Sequence, residues 1–429
     1  MVDLTRTAPV DDHARDERDL AARPGLVAVC SSGPLSVPFP LGARVGRDAL
    51  ADLGVLDDQM SRVHVALTQR AGALVLEDQG SRNGTFVRGV RIESATTVEP
   101  GDIVRCGRTL FVVSADVTPF VSATVRVVND EVRSPVLDRV LDKARAMSAM
   151  AQLLVTGESG AGKEHVARAF HEGAGGKGAF IAINCATISG NLAERLLFGA
   201  RRGAYTGADS DAEGYVRAAE HGTLFLDEVG ELEASVQAKL LRFLETKQYF
   251  AVGDTRPRHA HVRMCFATLR DLAGEVRARR FREDLYHRIA TPLLEVPPLR
   301  ARREEIPHLV DLEIARANVP VRASTAFFEA ALSATWPGNV RQLRRTVAAA
   351  LLAAHAEGRT SLVAYDLPAD LTRPDDETGT DETTDPTADP TDDDIRIALS
   401  SAGGNVSVAA RALGIHRSRL RRWITKHNG

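Results

Sequence analysis

The sequence predicts a multidomain chain: an all-β sandwich, then a parallel α/β sheet with a helical lid, then a small all-α helix-turn-helix. Three observations carry this. Over residues 26–114 short alternating runs are broken by glycine-rich turns. From about residue 133 apolar runs of four to six residues alternate with helical stretches. Near the end, an acidic stretch with almost nothing apolar gives way to a short basic helical segment.

The 429 residues suit three domains at roughly 100–200 residues each. Lys plus Arg total 54 against 57 for Asp plus Glu, a net charge of −3, and 44 % of residues are hydrophobic. That composition supplies real cores and excludes a wholly disordered chain. It also excludes one uniformly basic protein, but not a basic module offset by an acidic stretch. Cys30, Cys106, Cys185 and Cys265 lie far apart with no CxxC pair, which argues against a zinc ribbon or a disulfide scaffold. The polar N-terminus lacks the apolar segment of a secretory signal, and no apolar run is long enough to span a bilayer. A cytoplasmic protein without membrane contact is expected.

Taken in order, residues 1–23 read as a flexible charged arm. Residues 24–115 hold the sandwich, whose short alternating runs include the strand-like ALVLED, then GSRNGTFV, then DIVRCG and TLFVV. A connector covers 116–132. Residues 133–300 form the α/β part, with buried strands predicted at 153–156, 180–183, 224–227, 264–268 and 292–296. Residues 301–367 read as a helical lid. Residues 368–393, rich in Thr, Pro and Asp, read as a disordered acidic linker, and 394–429 as the terminal helical module.

Chemistry concentrates in the second part. Gly157-Glu158-Ser159-Gly160-Ala161-Gly162-Lys163-Glu164 follows a strand and opens a helix. Glycines there let backbone N–H groups point at phosphate oxygens, and the helix N-terminus favours an anion. Lys163 would reach the outer phosphates. The residue after that Lys is ordinarily Ser or Thr, which holds Mg²⁺; here it is Glu164. About sixty residues on, the apolar strand TLFLD ends in Asp227 and Glu228. Asp227 is placed to hold Mg²⁺, and Glu228 to polarise an attacking water. Arg282 and Arg288, six apart, could supply charge at the leaving phosphate.

GESGAGKE, GAYTGA, GTLFLDEVGE, FREDLYHR and WPGNVRQL occur in this order. Together they resemble the AAA+ module of sigma-54-dependent transcription activators, the bacterial enhancer-binding proteins, over about residues 133–367. Glu164 suits that family, where Glu commonly follows the loop Lys. The resemblance implies ATP and Mg²⁺ as cofactors, with ATP hydrolysed to ADP and phosphate. It implies Lys163 on phosphates, Asp227 and Glu228 as the Walker B pair, Asn184 as the partner that switches the catalytic Glu, and Thr268 as sensor I. It further implies Arg282 and Arg288 as fingers reaching a neighbouring subunit, Arg341 as the sensor II Arg, and a homo-oligomeric ring, usually a hexamer. Gly203-Ala204-Tyr205-Thr206-Gly207-Ala208 matches the family's GAFTGA loop, which touches sigma-54. Tyr205 stands where the family has Phe, and Leu269 where it usually has Asn; His261 and Asp254 also depart from its pattern.

Residues 41–113 resemble a forkhead-associated (FHA) domain through Gly46-Arg47, Ser61-Arg62-Val63-His64 and Gly80-Ser81-Arg82-Asn83-Gly84-Thr85. Such β-sandwiches bind phosphothreonine. Arg47, Ser61, Arg62 and Arg82 are the candidates for the phosphate, Asn83 for the peptide backbone, and His64 for bracing the pocket. The C-terminal segment resembles a Fis-type helix-turn-helix; His416, Arg417, Arg419, Arg421 and Arg422 are its candidate DNA contacts.

These resemblances together imply a sigma-54-dependent transcriptional regulator. Its partners would be a phosphothreonine protein or peptide from a Ser/Thr kinase pathway, upstream enhancer DNA and the sigma-54 RNA polymerase holoenzyme. The alternative is a phosphopeptide-dependent DNA-binding adaptor whose ATPase has decayed or serves only assembly. Leu269 favours that alternative; the complete set Lys163, Asp227, Glu228, Arg282 and Arg288 opposes it.

Overall fold

The computed structural model describes residues 22–372, apart from 32, 189 and 205–208, together with residue 395. The chain divides into two units, residues 1–374 and 375–429. Apart from Ile395, the expected helix-turn-helix lies outside the described residues, as do residues 205–208 of the GAYTGA sequence.

Ten strands build the N-terminal sandwich: β1 Gly25–Cys30, β2 Pro34–Pro40, β3 Arg44–Val45, β4 Val65–Arg70, β5 Ala73–Asp78, β6 Thr85–Val87, β7 Val90–Arg91, β8 Thr96–Val98, β9 Ile103–Cys106 and β10 Thr109–Ser114. They form one sheet in the order β2-β1-β10-β9-β6-β7 and another in the order β3-β4-β5-β8. Alternation assigns the faces. Leu26, Ala28, Val104, Phe111 and Val113 point into the sandwich core with Val45, Val65 and Leu76. Their neighbours Val27, Val29, Ile103, Leu110 and Val112 point the other way, yet they too are buried. They share a hydrophobic cluster with Leu309, Phe328 and Leu332 of the lid. The sandwich thus rests its larger sheet on the lid, and the ion pair Arg105–Glu329, 2.9 Å, joins them at the edge.

The five expected buried strands form one parallel sheet in the order Phe180–Asn184, Thr223–Asp227, Arg263–Thr268, Gln152–Thr156, Leu293–Glu295. The three central strands are buried almost throughout, as their unbroken apolar runs require. The two edge strands, expected to be buried as well, lack a neighbour on one side and leave Ala182, Asn184, Leu293 and Glu295 exposed. Register sets Asn184 beside Asp227 and Thr156 beside Thr268. An amide, a carboxylate and two hydroxyls are thereby gathered at the carboxyl ends of adjoining strands, where ligands of open α/β sheets bind.

Three helices make the lid: Glu305–Ala317, Thr325–Ser333 and Asn339–Ala356. Trp336, fully buried, donates its indole N–H to the Ala331 carbonyl at 2.8 Å and pins the turn between the last two. Ala369–Thr372, at the start of the stretch read as linker, form a turn with Leu371 buried. No helix among the described residues is long and apolar enough to cross a membrane.

Candidate functional site

The glycine-rich loop joins the strand Gln152–Thr156 to the helix Lys163–Gly173. Gly157, Gly160 and Gly162 all have positive φ, at 150°, 72° and 104°. Side chains rarely adopt such angles, so the loop's path depends on these glycines. Lys163, 7 % exposed, curls back over the loop. Its ammonium donates to the Gly157 carbonyl at 2.9 Å and lies 3.4 Å from Glu228 Oε1.

Asp227 ends its strand, and Glu228 follows in the left-handed region at φ 54°, ψ 50°. Glu228 Oε2 accepts the backbone N–H of Leu269 at 3.1 Å. Burial, and after it the Glu228 carboxylate, push the Asp227 carboxyl above the usual carboxylate range. Thr268 is buried, and its hydroxyl accepts the Arg270 N–H at 3.0 Å. Asn184 does not hold Glu228 in this structure; its side-chain oxygen accepts the Ala186 N–H at 2.9 Å.

Asp227 and Glu228 line a cavity of about 430 Å³ together with Ser159–Glu164, Arg341 and the apolar Val132, Leu137, Leu141, Leu309 and Val340; Asn184 and Thr268 stand outside its lining. An anion-binding cradle beside an apolar slot suits a nucleotide. No cluster of three or more His, Cys, Asp or Glu among the described residues could hold a metal by protein ligands alone. Asp227 with its adjoining carboxylate fits a hard cation that also takes oxygens from phosphate and water. Glu164 pairs with Arg168 at 2.6 Å.

Several expected contacts lie elsewhere. The Glu158 carboxylate turns away from the cradle, to Arg300 at 2.6 Å and Asn339 Nδ2 at 3.0 Å, and these bonds hold it below the usual range. Arg282 is held by Asp284 at 2.7 Å, whereas Arg288 makes one bond, to the Leu244 carbonyl at 3.2 Å. Arg341 lies 3.4 Å from the Ser159 hydroxyl. Sequence reasoning missed Arg302 and Asn339, both buried against the loop; nothing local in the sequence marks either as buried. Gly203 and Ala204 stand at the base of the GAYTGA loop, closed by an Ala200–Ala212 bridge and the Arg201–Asp211 ion pair at 3.0 Å. Tyr205, Thr206, Gly207 and Ala208 fall outside the described residues.

A second candidate site sits at one end of the sandwich. Arg47, Ser61, Arg62, Arg82 and Asn83 line one cavity of about 710 Å³. Three loops are tied together to make it. Buried Asp57 accepts the N–H groups of Gln59, Arg108 and Thr109. Asp78 accepts the Ser81 and Thr85 hydroxyls, both at 2.6 Å. Ser61 Oγ accepts the Arg82 N–H, leaving its proton free to donate, and Asn83 Nδ2 donates to the Gln59 carbonyl. His64 is fully buried; Nδ1 accepts the Ser61 N–H, so Nε2 carries the proton towards the Gly84 carbonyl. It braces the loops from behind, and burial lowers its pKa.

Comparison with known proteins matches four stretches: the sigma-54 interaction domain at residues 131–295, the FHA domain at 43–107, the AAA+ ATPase lid domain at 300–384, and the bacterial regulatory protein Fis family at 395–427. The transcriptional regulatory protein ZraR of Escherichia coli K12 is 37 % identical over 67 % of this chain and 66 % of its own length. The transcriptional regulatory protein GlrR of the same organism is 36 % identical over 69 % of this chain and 67 % of its own. The chain thus spans about two thirds of these relatives. A crystal structure of NtrX from Brucella abortus in complex with ADP aligns at TM-score 0.51 and 29 % identity, covering 70 % of this chain and 69 % of that one.

Proposed function

This chain belongs to the family of sigma-54 transcriptional regulators, and on that premise we propose that it hydrolyses ATP to activate sigma-54 RNA polymerase in response to a phosphothreonine signal. The observation that carries the reading is the convergence of Lys163, Asp227, Glu228 and Arg341 on one cavity beside an apolar slot. Loop N–H groups and Lys163 bind the phosphates. Asp227 would hold Mg²⁺, which when bound neutralises charge on the phosphate oxygens. Glu228 orients and deprotonates the attacking water, and Arg341 reports the nucleotide to the lid helix that carries it. Arg282 and Arg288 act on the site of a neighbouring subunit in a ring, and the GAYTGA loop engages sigma-54.

In the sandwich, Arg47, Arg62 and Arg82 have no ion-pair partner among the described residues. Three unpaired guanidiniums around a loop-bound cavity favour a dianionic phosphate. The Fis-type segment would bind enhancer DNA. The adaptor alternative rested on Leu269, whose side chain cannot hydrogen-bond. Glu228 is met instead by the Leu269 backbone N–H, which any residue except Pro supplies, so this site keeps its means of holding the Glu. The test is transcription from a sigma-54 promoter with purified chain and ATP, with and without a phosphothreonine peptide. Promoter opening that ignores ATP would overturn the reading.

A further inference from the structure

We propose that Arg302 and Asn339 are positioning residues for the nucleotide phosphates: from the lid side they lock two peptide planes of the glycine-rich loop so that its N–H groups face the ligand. The proposal rests on the nucleotide reading of the cavity. Arg302 opens the approach to the first lid helix and is only 2 % exposed. One arm of its guanidinium donates to the Ala161 carbonyl. The other pairs with Glu305 at 2.8 Å. Glu305 in turn accepts the Ser134 hydroxyl at 2.7 Å, and Ser134 caps the helix Pro135–Ala146. A charge so deeply buried is tolerated only with its bonds satisfied, so Arg302 is fixed, and the Ala161 carbonyl with it.

Asn339 opens the third lid helix and is fully buried. Its Oδ1 accepts the Leu299 N–H at 2.7 Å, and its Nδ2 donates to the Ser159 carbonyl and to Glu158, each at 3.0 Å.

In a trans peptide the C=O and N–H point in opposite directions. Holding the Ser159 carbonyl toward the lid therefore turns the Gly160 N–H the other way. Holding the Ala161 carbonyl does the same for the Gly162 N–H. Between them, the Ala161 N–H is spent inside the loop, on the Glu158 carbonyl at 3.3 Å. Two lid residues thus set alternate donors of the anion cradle. The contact is close: a Cβ on Gly160 would stand 2.4 Å from the Gly338 carbonyl oxygen. A lid that moves relative to the loop must release these carbonyls, which loosens the grip on phosphate.

The experiment uses the full chain. ADP and adenosine compete against a fluorescent ATP analogue, and kcat and KM for ATP are measured alongside. The variants are Arg302→Met, Arg302→Lys, and Asn339→Asp combined with Glu158→Gln; the double change retains the acceptor for Leu299 and avoids two facing carboxylates. ADP affinity should fall about tenfold in Arg302→Met and in the double variant, the scale of one lost hydrogen bond. Adenosine affinity should stay unchanged, KM should rise more than kcat falls, and Arg302→Lys should recover part of the loss. Equal losses for ADP and adenosine, or no loss of ADP affinity in the double variant, would overturn the assignment while leaving the nucleotide reading intact. Failure of the wild-type chain to bind ADP would overturn the nucleotide reading and this proposal with it.

Discussion

The ammonium of Lys163 and the carboxylate of Glu228 face each other at 3.4 Å, with side chains 7 % and 14 % exposed. Each neutralises the other where neither has much water. A phosphate entering the cradle competes for the same ammonium, so nucleotide binding must part this pair and free the Glu. Replacing Glu228 by Gln removes the competitor for Lys163 as well as the base. Glu228→Gln should therefore bind ATP at least as tightly as the wild type while hydrolysing it about 10²–10⁴-fold more slowly. Equilibrium binding and phosphate release on the same samples check both halves.

Much of this site was legible because its signals are local. A strand, a glycine loop and a helix lie within one short stretch, and an apolar strand ends in two acids. The five buried strands stood out for the same reason. What local reading could not reach is long-range burial. Arg302 meets a carbonyl 141 residues away and Asn339 a carboxylate 181 residues away; in sequence both look like ordinary surface polar residues. Leu269 was legible only as a side chain unable to hydrogen-bond; that its backbone N–H donates to Glu228 is a contact 41 residues away in sequence. Strand β1 carried an unread signal: GLVAVC is buried throughout, and an unbroken apolar strand implies cover on both faces. It does not say what the cover is.

The two candidate fingers differ in availability. Arg282 is bound bidentately by Asp284, at 3.0 and 2.7 Å, while Arg288 makes a single bond to a neutral carbonyl. Arg288→Ala should therefore cost more ATP turnover than Arg282→Ala, with about 10³-fold as the upper range for a finger. If the chain assembles as a ring with fingers acting in trans, mixing Arg288→Ala chains with Glu228→Gln chains should restore some activity, because mixed rings would contain interfaces with both groups intact. Turnover by mixtures verified to co-assemble is the measurement.

In the sandwich, the three guanidiniums that line the cavity are expected to contribute to binding and little to stability. Arg47, Arg62 and Arg82 are exposed and share one cavity with Asp48 and Asp58, and none makes an ion pair among the described residues, so removing one breaks no such pair. Arg62→Ala should lower affinity for a phosphothreonine peptide about tenfold or more, the value of a charge-assisted bond. Its melting temperature should stay level. Isothermal titration and thermal melting of the full chain test the two directions separately.

Glu304 is a buried acid whose Oε1 has no hydrogen-bond partner. Burial, and then Glu305, push its carboxyl up to about 8. A folded-state value above the unfolded one means that the folded chain holds a proton the unfolded chain releases. Stability from this group is therefore full below about 4.5 and is lost as pH rises towards 8. Glu304→Gln keeps a neutral side chain of the same shape at every pH. The variant should melt above the wild type at pH 8, and the gap should close as pH falls to about 5. A gap that is constant or widens towards acid would contradict this.

The sandwich and the lid share one hydrophobic cluster, and the second lid helix carries Glu329 to Arg105 of β9. Arg105 also lies over the Phe86 ring, 3.8 Å from its centroid, and Phe86 pairs with it across β6 and β9. Phe86 lies three residues past Asn83 of the sandwich cavity, so a ligand bound there would act on a strand next to the lid contact. The lid in turn holds Arg341 at the cavity beside the glycine-rich loop and Asn339 on that loop's Ser159 carbonyl. A phosphothreonine peptide should therefore change the KM for ATP, and the change should pass through this contact. Arg105→Glu sets two carboxylates against each other and should abolish the peptide's effect on KM while leaving peptide affinity within about threefold, since Arg105 is outside the cavity. Combining it with Glu329→Arg restores the attraction in reverse and should restore the response. ATPase titrations with and without peptide on the two single variants and the double decide it: a response that survives Arg105→Glu, or a double variant no better than either single, means the signal does not cross at this pair.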